Sequence, residues 1–322
     1  MSLNRKAFLQ QSVFSSLALS VPWNFGADET PLAPAVKRKY KMQLNGGLIG
    51  VKADQSALIE LASKYGFEAV VALPQYLHGL TTDHWTLLKD NMKTKNLSFG
   101  MGETNVEFRK SEEIFKKSLA SLPAKCAVLQ KAGVTRSMTW IMSNHSDLNY
   151  LQNFRLHTAR LKEVAGILKD YDIRYGLEYV GPKSIWAANN FPFIHTMAEL
   201  RELIAAIGQS NVGIHLDTAH WFTSGEDLSA ILSLTNNDVV GCDLNDAIKG
   251  YDPIQNQPGY QRELPAATGV IDTRGFLNAL KTIGYDGFVQ AEPFNEELNK
   301  LDDEAAVQKT ADAMKKAVAM VD

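Results

Sequence analysis

The sequence predicts an α/β chain folded as a single closed (β/α)8 barrel, a TIM barrel. Strand-like and helix-like segments alternate from about residue 40 to the end of the 322-residue chain. Eight such pairs can be counted, and strict alternation implies a parallel sheet flanked by helices. Acidic residues fall where the late strand-like segments end. Barrels and open doubly wound sheets both collect their functional groups at that end. Eight units without a second domain favour closure over an open sheet.

The elements follow in order. KMQLNGGLIGV (41–51) reads as the first strand and its loop, and DQSALIELASKYG (54–66) as a helix. Asp54 suits the N-cap and Gly66 the C-terminal stop. FEAVVALP (67–74) is strand-like, and TTDHWTLLKDNMKTKN (81–96) is helical. LSFGMGE (97–103) is the third strand, followed by one long helical stretch near 109–132, and VTRSMTWIMS (134–143) is the fourth. In the next helix Leu161, Val164, Ala165 and Leu168 share one face, at the spacing of an amphipathic helix. Strand five is 173–179, with a helix at 196–208; strand six is 212–217, with a helical segment at 226–234. Strand seven is 239–244, the helix DTRGFLNALKTIG spans 272–284, and strand eight is 287–292. A last helix presents Val307, Ala311, Met314, Val318 and Val321 on one side.

Bulk composition narrows the class. Apolar residues make up 45% and charged residues 21% of the chain, and the net charge is −3. That is ordinary for a globular enzyme. No basic block marks a nucleic-acid footprint. The two cysteines, Cys126 and Cys242, give neither zinc-ligand spacing nor a disulfide framework and read as small core residues. Near the start, NRKAFLQQS precedes the apolar run VFSSLALSVPW. A basic start and a short apolar centre describe an export signal, and Arg5-Lys6 before Phe8-Leu9 resembles a weakened twin-arginine signal. Residues 1–39 are therefore read as export signal and linker, and 40–322 as the barrel. The expected location is exported or periplasmic; the alternative is a cytoplasmic protein with an N-terminal extension. No segment is long and apolar enough to read as a stable membrane span.

Four strand ends carry the chemistry. IRYGLEYVG brings Glu178, VGIHLDTAHW brings Asp217, VVGCDLNDA brings Asp243 or Asp246, and GFVQAEPFN brings Glu292. An ionised carboxylate in a buried strand costs several kcal/mol unless it is paired or bound to a cation. Four at one end of a barrel point to one shared divalent-metal site. Oxygen donors suit Mg or Mn, and a nearby histidine extends the range to Co or Zn. His220, three residues after Asp217, is a candidate ligand or substrate donor. His215, inside the strand, reads as structural, and His145 is open between pocket and surface. Lys183 follows the strand-five glutamate closely enough to face a pocket. Trp186, Trp221 and Phe294 are candidates for stacking against a sugar face or for wall packing.

GLEYVG, HLDTAHWFTSGEDL and RELPAATGVIDTRGFLNALKTIGYDGFVQAEPF together resemble the xylose isomerase-like barrel superfamily, the sugar phosphate isomerase/epimerase family. The last stretch is the most specific, because it matches in order and spacing over more than thirty residues. The resemblance implies a metal held by Glu178, Asp217, a strand-seven residue and Glu292. The family pattern on that strand usually runs His-x-x-Asp; here it runs Asp243-Leu244-Asn245-Asp246, so Asp243 stands at the histidine position. Asp for His makes the site harder and more negative, favouring Mg or Mn, or accompanies loss of the metal. The resemblance further implies Glu178 and Glu292 as an acid/base pair and Arg262 as a substrate-binding fork. It also points to a homodimer. The function this implies is a metal-dependent isomerase or epimerase of a ketose or polyol-derived ketone. The alternatives are a lyase or dehydratase on the same site and a carbohydrate-binding barrel without its metal. A phosphorylated substrate is not indicated, because no glycine-rich phosphate cradle occurs. The histidine-rich multi-zinc site and basic face of a DNA-repair phosphodiesterase are also missing from the sequence.

Overall fold

The structure, a computed structural model, describes residues 37–322. The strands are short and mostly buried on both faces. They are β1 (Lys41–Leu44), β2 (Ala69–Ala72), β3 (Ser98–Gly102), β4 (Arg136–Trp140), β5 (Arg174–Glu178), β6 (Val212–Asp217), β7 (Val239–Leu244) and β8 (Phe288–Ala291). All ladders between them are parallel, and their order is β4-β5-β6-β7-β8-β1-β2-β3. Pairing of β8 with β1 joins the last strand to the first, with Lys41 opposite Phe288 and Met42 opposite Val289. The (β/α)8 barrel expected from the alternation is therefore present. Its seam lies between β3 and β4, which approach without a shared ladder among the described residues. A hydrogen bond of 2.9 Å between Thr104 Oγ1 and Ser137 Oγ spans the seam.

The helices begin where side chains can satisfy their free amides. Asp54 accepts from the Ala57 amide at 2.9 Å, and Asp272 accepts from Gly275 at 2.9 Å. Asn149 and Gln152 form a reciprocal capping box at the start of the helix Tyr150–Lys169. The single helix expected near 109–132 is instead two, Glu112–Ala120 and Leu122–Lys131, joined at Ser121. Pro123 explains the break: it lacks an N–H and its ring clashes with the carbonyl one turn back, so it fits only the first turn of a new helix. Short helices at Pro74–His78, Lys183–Trp186, Thr218–Thr223 and Glu296–Asn299 were not legible as periodic runs. Each of these begins within five residues of a strand end.

Apolar faces of the helices pack on the outward faces of the strands to form the core, and Cys126 and Cys242 lie free and fully buried within it. Burial at this scale contributes roughly 25 cal/mol per Å² of apolar surface. Inside the barrel the packing is partly polar, and around β1 it is satisfied. Gln43 Nε2 donates to Gln290 Oε1 at 2.5 Å, and Gln43 Oε1 accepts from the Met101 amide at 2.6 Å. A two-residue antiparallel pair, Asn144–His145 with Phe191–Pro192, joins the segments that follow β4 and β5. No helix among the described residues is long and apolar enough to cross a membrane. The export-signal reading of residues 1–39 falls almost wholly outside the described residues.

Candidate active site

β5 and β6 end on Glu178 and Asp217, Asp243 is the penultimate residue of β7, and Glu292 directly follows β8. Side chains on a strand alternate, so each of these shares its face with the residue two before it: Gly176, His215, Gly241 and Gln290. The ladder sets Asp217 opposite Asp243 and Asp243 opposite Gln290. Glu178, Asp217, Asp243 and Glu292 all point to one place, where each offers an oxygen within 4.8 Å of the others. Asp217 and Asp243 are fully buried, and Glu178 and Glu292 are nearly so. Glu178 Oε1 and both oxygens of Asp243 have no hydrogen-bond partner.

The charge of this cluster is held unevenly. Asp217 is the best supported member. Its Oδ1 accepts from the His220 amide at 2.9 Å, and its Oδ2 accepts from Asn245 Nδ2 at 2.8 Å and Arg262 at 2.9 Å. Burial opposes its ionisation, but Arg262, His220 and these hydrogen bonds outweigh burial and hold its pKa below the usual value. Glu178 moves the other way. Burial, then repulsion from Glu292, Asp217 and Asp243, raises its pKa well above the ordinary range. Burial and Asp243 do the same to Glu292, against the opposing pull of Arg262.

Arg262 is the central cation. It is almost fully buried and spans Asp217 Oδ2 at 2.9 Å and Glu292 Oε2 at 3.1 Å, with its guanidinium 4.7 Å from the Phe294 ring centre. Burial alone would lower its pKa, but Asp217, Glu292, Glu178 and Asp243 together raise it. His220 lies beside it, with Nε2 3.1 Å from the guanidinium and Nδ1 3.3 Å from the Gly181 amide. Burial drives the His220 pKa down to about 3, with Asp217 opposing and Arg262 and His215 adding to the shift. The imidazole is therefore neutral.

The two strand-seven candidates separate here. Asp246 accepts from the backbone amides of Ala247, Thr268, Gly269 and Ile271 at 2.8–2.9 Å. It pins the 263–271 loop and is not part of the carboxylate cluster, whereas Asp243 is. His215, read from sequence as structural, is drawn to the site: its Nε2 lies 3.1 Å from Asp243 Oδ1, although the angle is not that of a hydrogen bond. Glycines on the flanking strands leave space for its ring. A Cβ at Gly241 would sit 2.4 Å from His215 Nδ1, and one at Gly176 would sit 3.0 Å from His215 Cβ. Asn245, which links Asp217 to the Glu292 carbonyl, was also missed. Strand alternation was the available signal for both residues: each lies two residues from a chosen carboxylate.

A cavity of about 420 Å³ opens over the cluster. Glu178, Glu292, His220 and Arg262 form its polar floor, and Leu48, Met138, Met142, Val180 and Phe294 supply apolar walls. Lys183 is not brought to it: the ammonium donates to Gln255 at 2.6 Å, away from the cavity lining. Trp221 is a packing residue, buried edge-on against Phe276, and Trp186 stacks on His195. Only Phe294 of the three aromatic candidates lines the cavity, held at a φ of 42°. Four inward carboxylates against one guanidinium, with three oxygens unpartnered, fit a divalent cation.

The sequence model of the xylose isomerase-like TIM barrel matches residues 59–317, most of the chain. The chain belongs to that family. Among curated relatives, the inosose isomerase of Bacillus subtilis (strain 168) is 27% identical over 148 residues, covering 46% of this chain and 50% of the relative. That of Bacillus velezensis is 27% identical over 158 residues, covering 49% and 52%. The aligned part thus spans about half the length of the curated relatives it matches. Among solved structures, a xylose isomerase domain protein from Alicyclobacillus acidocaldarius aligns with a TM-score of 0.75 at 24% identity, over 88% of this chain and 99% of that one. The IOLI protein with a bound zinc atom aligns at 0.71 and 19% identity, over 88% and 99%. D-psicose 3-epimerase aligns at 0.61 and 14% identity, over 84% and 94%. At these identities the structural matches establish the fold alone.

Proposed function

We propose that the protein is a divalent-metal-dependent isomerase or epimerase of a sugar or polyol-derived ketone. The observation that carries this reading is the convergence of Glu178, Asp217, Asp243 and Glu292 on one point at the floor of a partly apolar cavity. Glu178, Asp217, Asp243 and Glu292 would hold the cation, which when bound polarises a substrate carbonyl or hydroxyl. Membership of the family and the likeness to inosose isomerases support the reaction class.

The chain's own groups suit proton transfer. Glu178 and Glu292 end strands three positions apart around the barrel and both line the cavity, so they can reach a ring carbon from two sides. One would remove the proton beside the carbonyl; it or its counterpart would return a proton to the same carbon in an epimerisation, or to the former carbonyl carbon in an isomerisation, with the hydroxyl proton passing between the two oxygens. Arg262 and neutral His220 line the cavity side by side, and Arg262, tied to Asp217 and Glu292, brings positive charge to where a substrate oxygen would lie. The apolar walls limit water at the reacting carbon, which protects an enediol from side reactions.

Metal-stripped protein should regain one divalent ion per chain on addition of Mn. In D2O, with ketoses and inosose as candidates, it should then place deuterium on a carbon next to the carbonyl. Product analysis separates isomerisation from loss of water, since both begin with the same proton abstraction. The reading fails if no divalent ion binds at micromolar concentration and Glu178→Gln leaves ligand binding unchanged.

A further inference from the structure

Three histidines are buried among the described residues: His157, His215 and His220. His157 Nδ1 lies 3.0 Å from the Asn153 carbonyl, and the two nitrogens of His220 lie against the Gly181 amide and the Arg262 guanidinium. His215 alone has no hydrogen-bond partner at either nitrogen, although it is completely buried. A buried imidazole left bare in this way is unfavourable unless a ligand completes it.

The surroundings of His215 hold its ring in place. It lies in β6 two residues before Asp217, so its side chain leaves the strand on the same inward face, one step deeper in the barrel. Glycines stand beside it on both neighbouring strands, Gly176 on β5 and Gly241 on β7. A Cβ at Gly241 would meet His215 Nδ1 and Met101 Sδ together, at 2.4 and 2.5 Å. With Nδ1 against Gly241, Nε2 is the nitrogen that faces the carboxylates.

His215 Nε2 is 3.1 Å from Asp243 Oδ1, yet the two are not hydrogen-bonded. A proton on Nε2 would point past that oxygen, and so would a lone pair, because both lie along the same in-plane axis. Two electron-rich atoms at this distance repel unless a cation lies within reach of both. Glu178, His215 and Asp243 each offer an atom within 4.8 Å of the others, and Glu178 Oε1 is also unpartnered. Glu178 and Asp243 thus belong both to the four-carboxylate cluster and to a group that includes the imidazole.

We propose that His215, through Nε2, supplies a nitrogen ligand to the cation held by the carboxylates. This rests on the divalent-metal reading above. A site of oxygens alone suits Mg, and one imidazole among the carboxylates tilts it toward Mn, Co or Zn. The carboxylates supply the charge that holds a cation, and His215 sets which cation is preferred.

The whole chain, stripped of metal and loaded with Mn, is examined by pulsed electron paramagnetic resonance for coupling to a directly bound nitrogen. Mn and Mg affinities are measured by calorimetric titration. The wild type should show the coupling, His220→Gln should keep it and His215→Gln should lose it. His215→Gln should also weaken Mn binding by about tenfold or more while changing Mg binding less than about twofold. If His215→Gln does not fold, the wild-type and His220→Gln spectra decide. The proposal is overturned if Mn binds without nitrogen coupling, or if the coupling disappears in His220→Gln. Absence of Mn binding overturns the metal reading as well. Nitrogen coupling without deuterium incorporation into any sugar overturns the reaction and leaves the His215 ligand standing.

Discussion

The two halves of the barrel bury polar groups with opposite results. In β1 to β4 the central polar side chains are paired, although Ser98 Oγ at the start of β3 is not: Gln43 meets Gln290 from the other half and the Met101 amide, and Thr104 meets Ser137 across the seam. In β5 to β8 four carboxylates converge, and three of their oxygens find nothing. Buried apolar residues occur in both halves, so burial does not mark the site. The mark is polar capacity left unfilled in a dry place, which is costly unless a ligand completes it. The same contrast recurs within three residues of β7 and its loop, between Asp246 with four amides and Asp243 with none.

The largest test of the contrast is Glu178→Gln, which keeps shape and removes the base. Solvent-deuterium incorporation should fall by about 10³-fold, with an unchanged circular dichroism spectrum. Asp246→Asn should come next. It turns an amide group toward backbone N–H donors and should lower stability by about 3 kcal/mol, read as a lower midpoint in urea. Its partner test, Asp243→Asn, should have the opposite sign. Without metal it relieves a crowded buried charge and should stabilise by about 1 kcal/mol, while weakening Mn binding in a calorimetric titration.

The pH dependence sharpens the same contrast. Glu178 and Glu292 have raised pKa values, so the metal-free folded chain holds more protons than the unfolded one. Its stability should therefore fall as pH rises from the ordinary glutamate value through the raised ones. Asp217 contributes the reverse sign at lower pH: its stabilisation is lost as pH falls through its depressed pKa. Added Mn should remove the loss at higher pH, because a cation favours the ionised carboxylates. Thermal melts with EDTA and with Mn between pH 4 and 8 check both signs. The smallest effect belongs to the satisfied half. Thr104→Val should cost about 1 kcal/mol and leave Mn affinity unchanged.

The sequence made the barrel legible because strand, helix and cap signals agreed along the chain. Asp54 and the Leu161–Leu168 face behave as their patterns predict. The carboxylates were legible for a simple reason: charge at the end of an apolar strand is hard to explain otherwise. What escaped depends on packing between distant segments. Arg262 is reached only through the family resemblance; its contact with Asp217, 45 residues away in sequence, could not be read from the residues themselves. His215 required the glycines of the two neighbouring strands to be seen as space. Lys183 stood near Glu178 in sequence, but the helix Lys183–Trp186 begins there and its ammonium meets Gln255.

The seam between β3 and β4 has a mechanical consequence. Every other junction of the barrel is held by a backbone ladder, whereas side chains bridge this one: Thr104 to Ser137, and Arg109 to Thr139 Oγ1 and the Trp140 carbonyl. The barrel thus closes by side chains at one junction, and the four strands that carry the carboxylates lie wholly within its laddered part, so backbone pairing fixes the spacing of those groups.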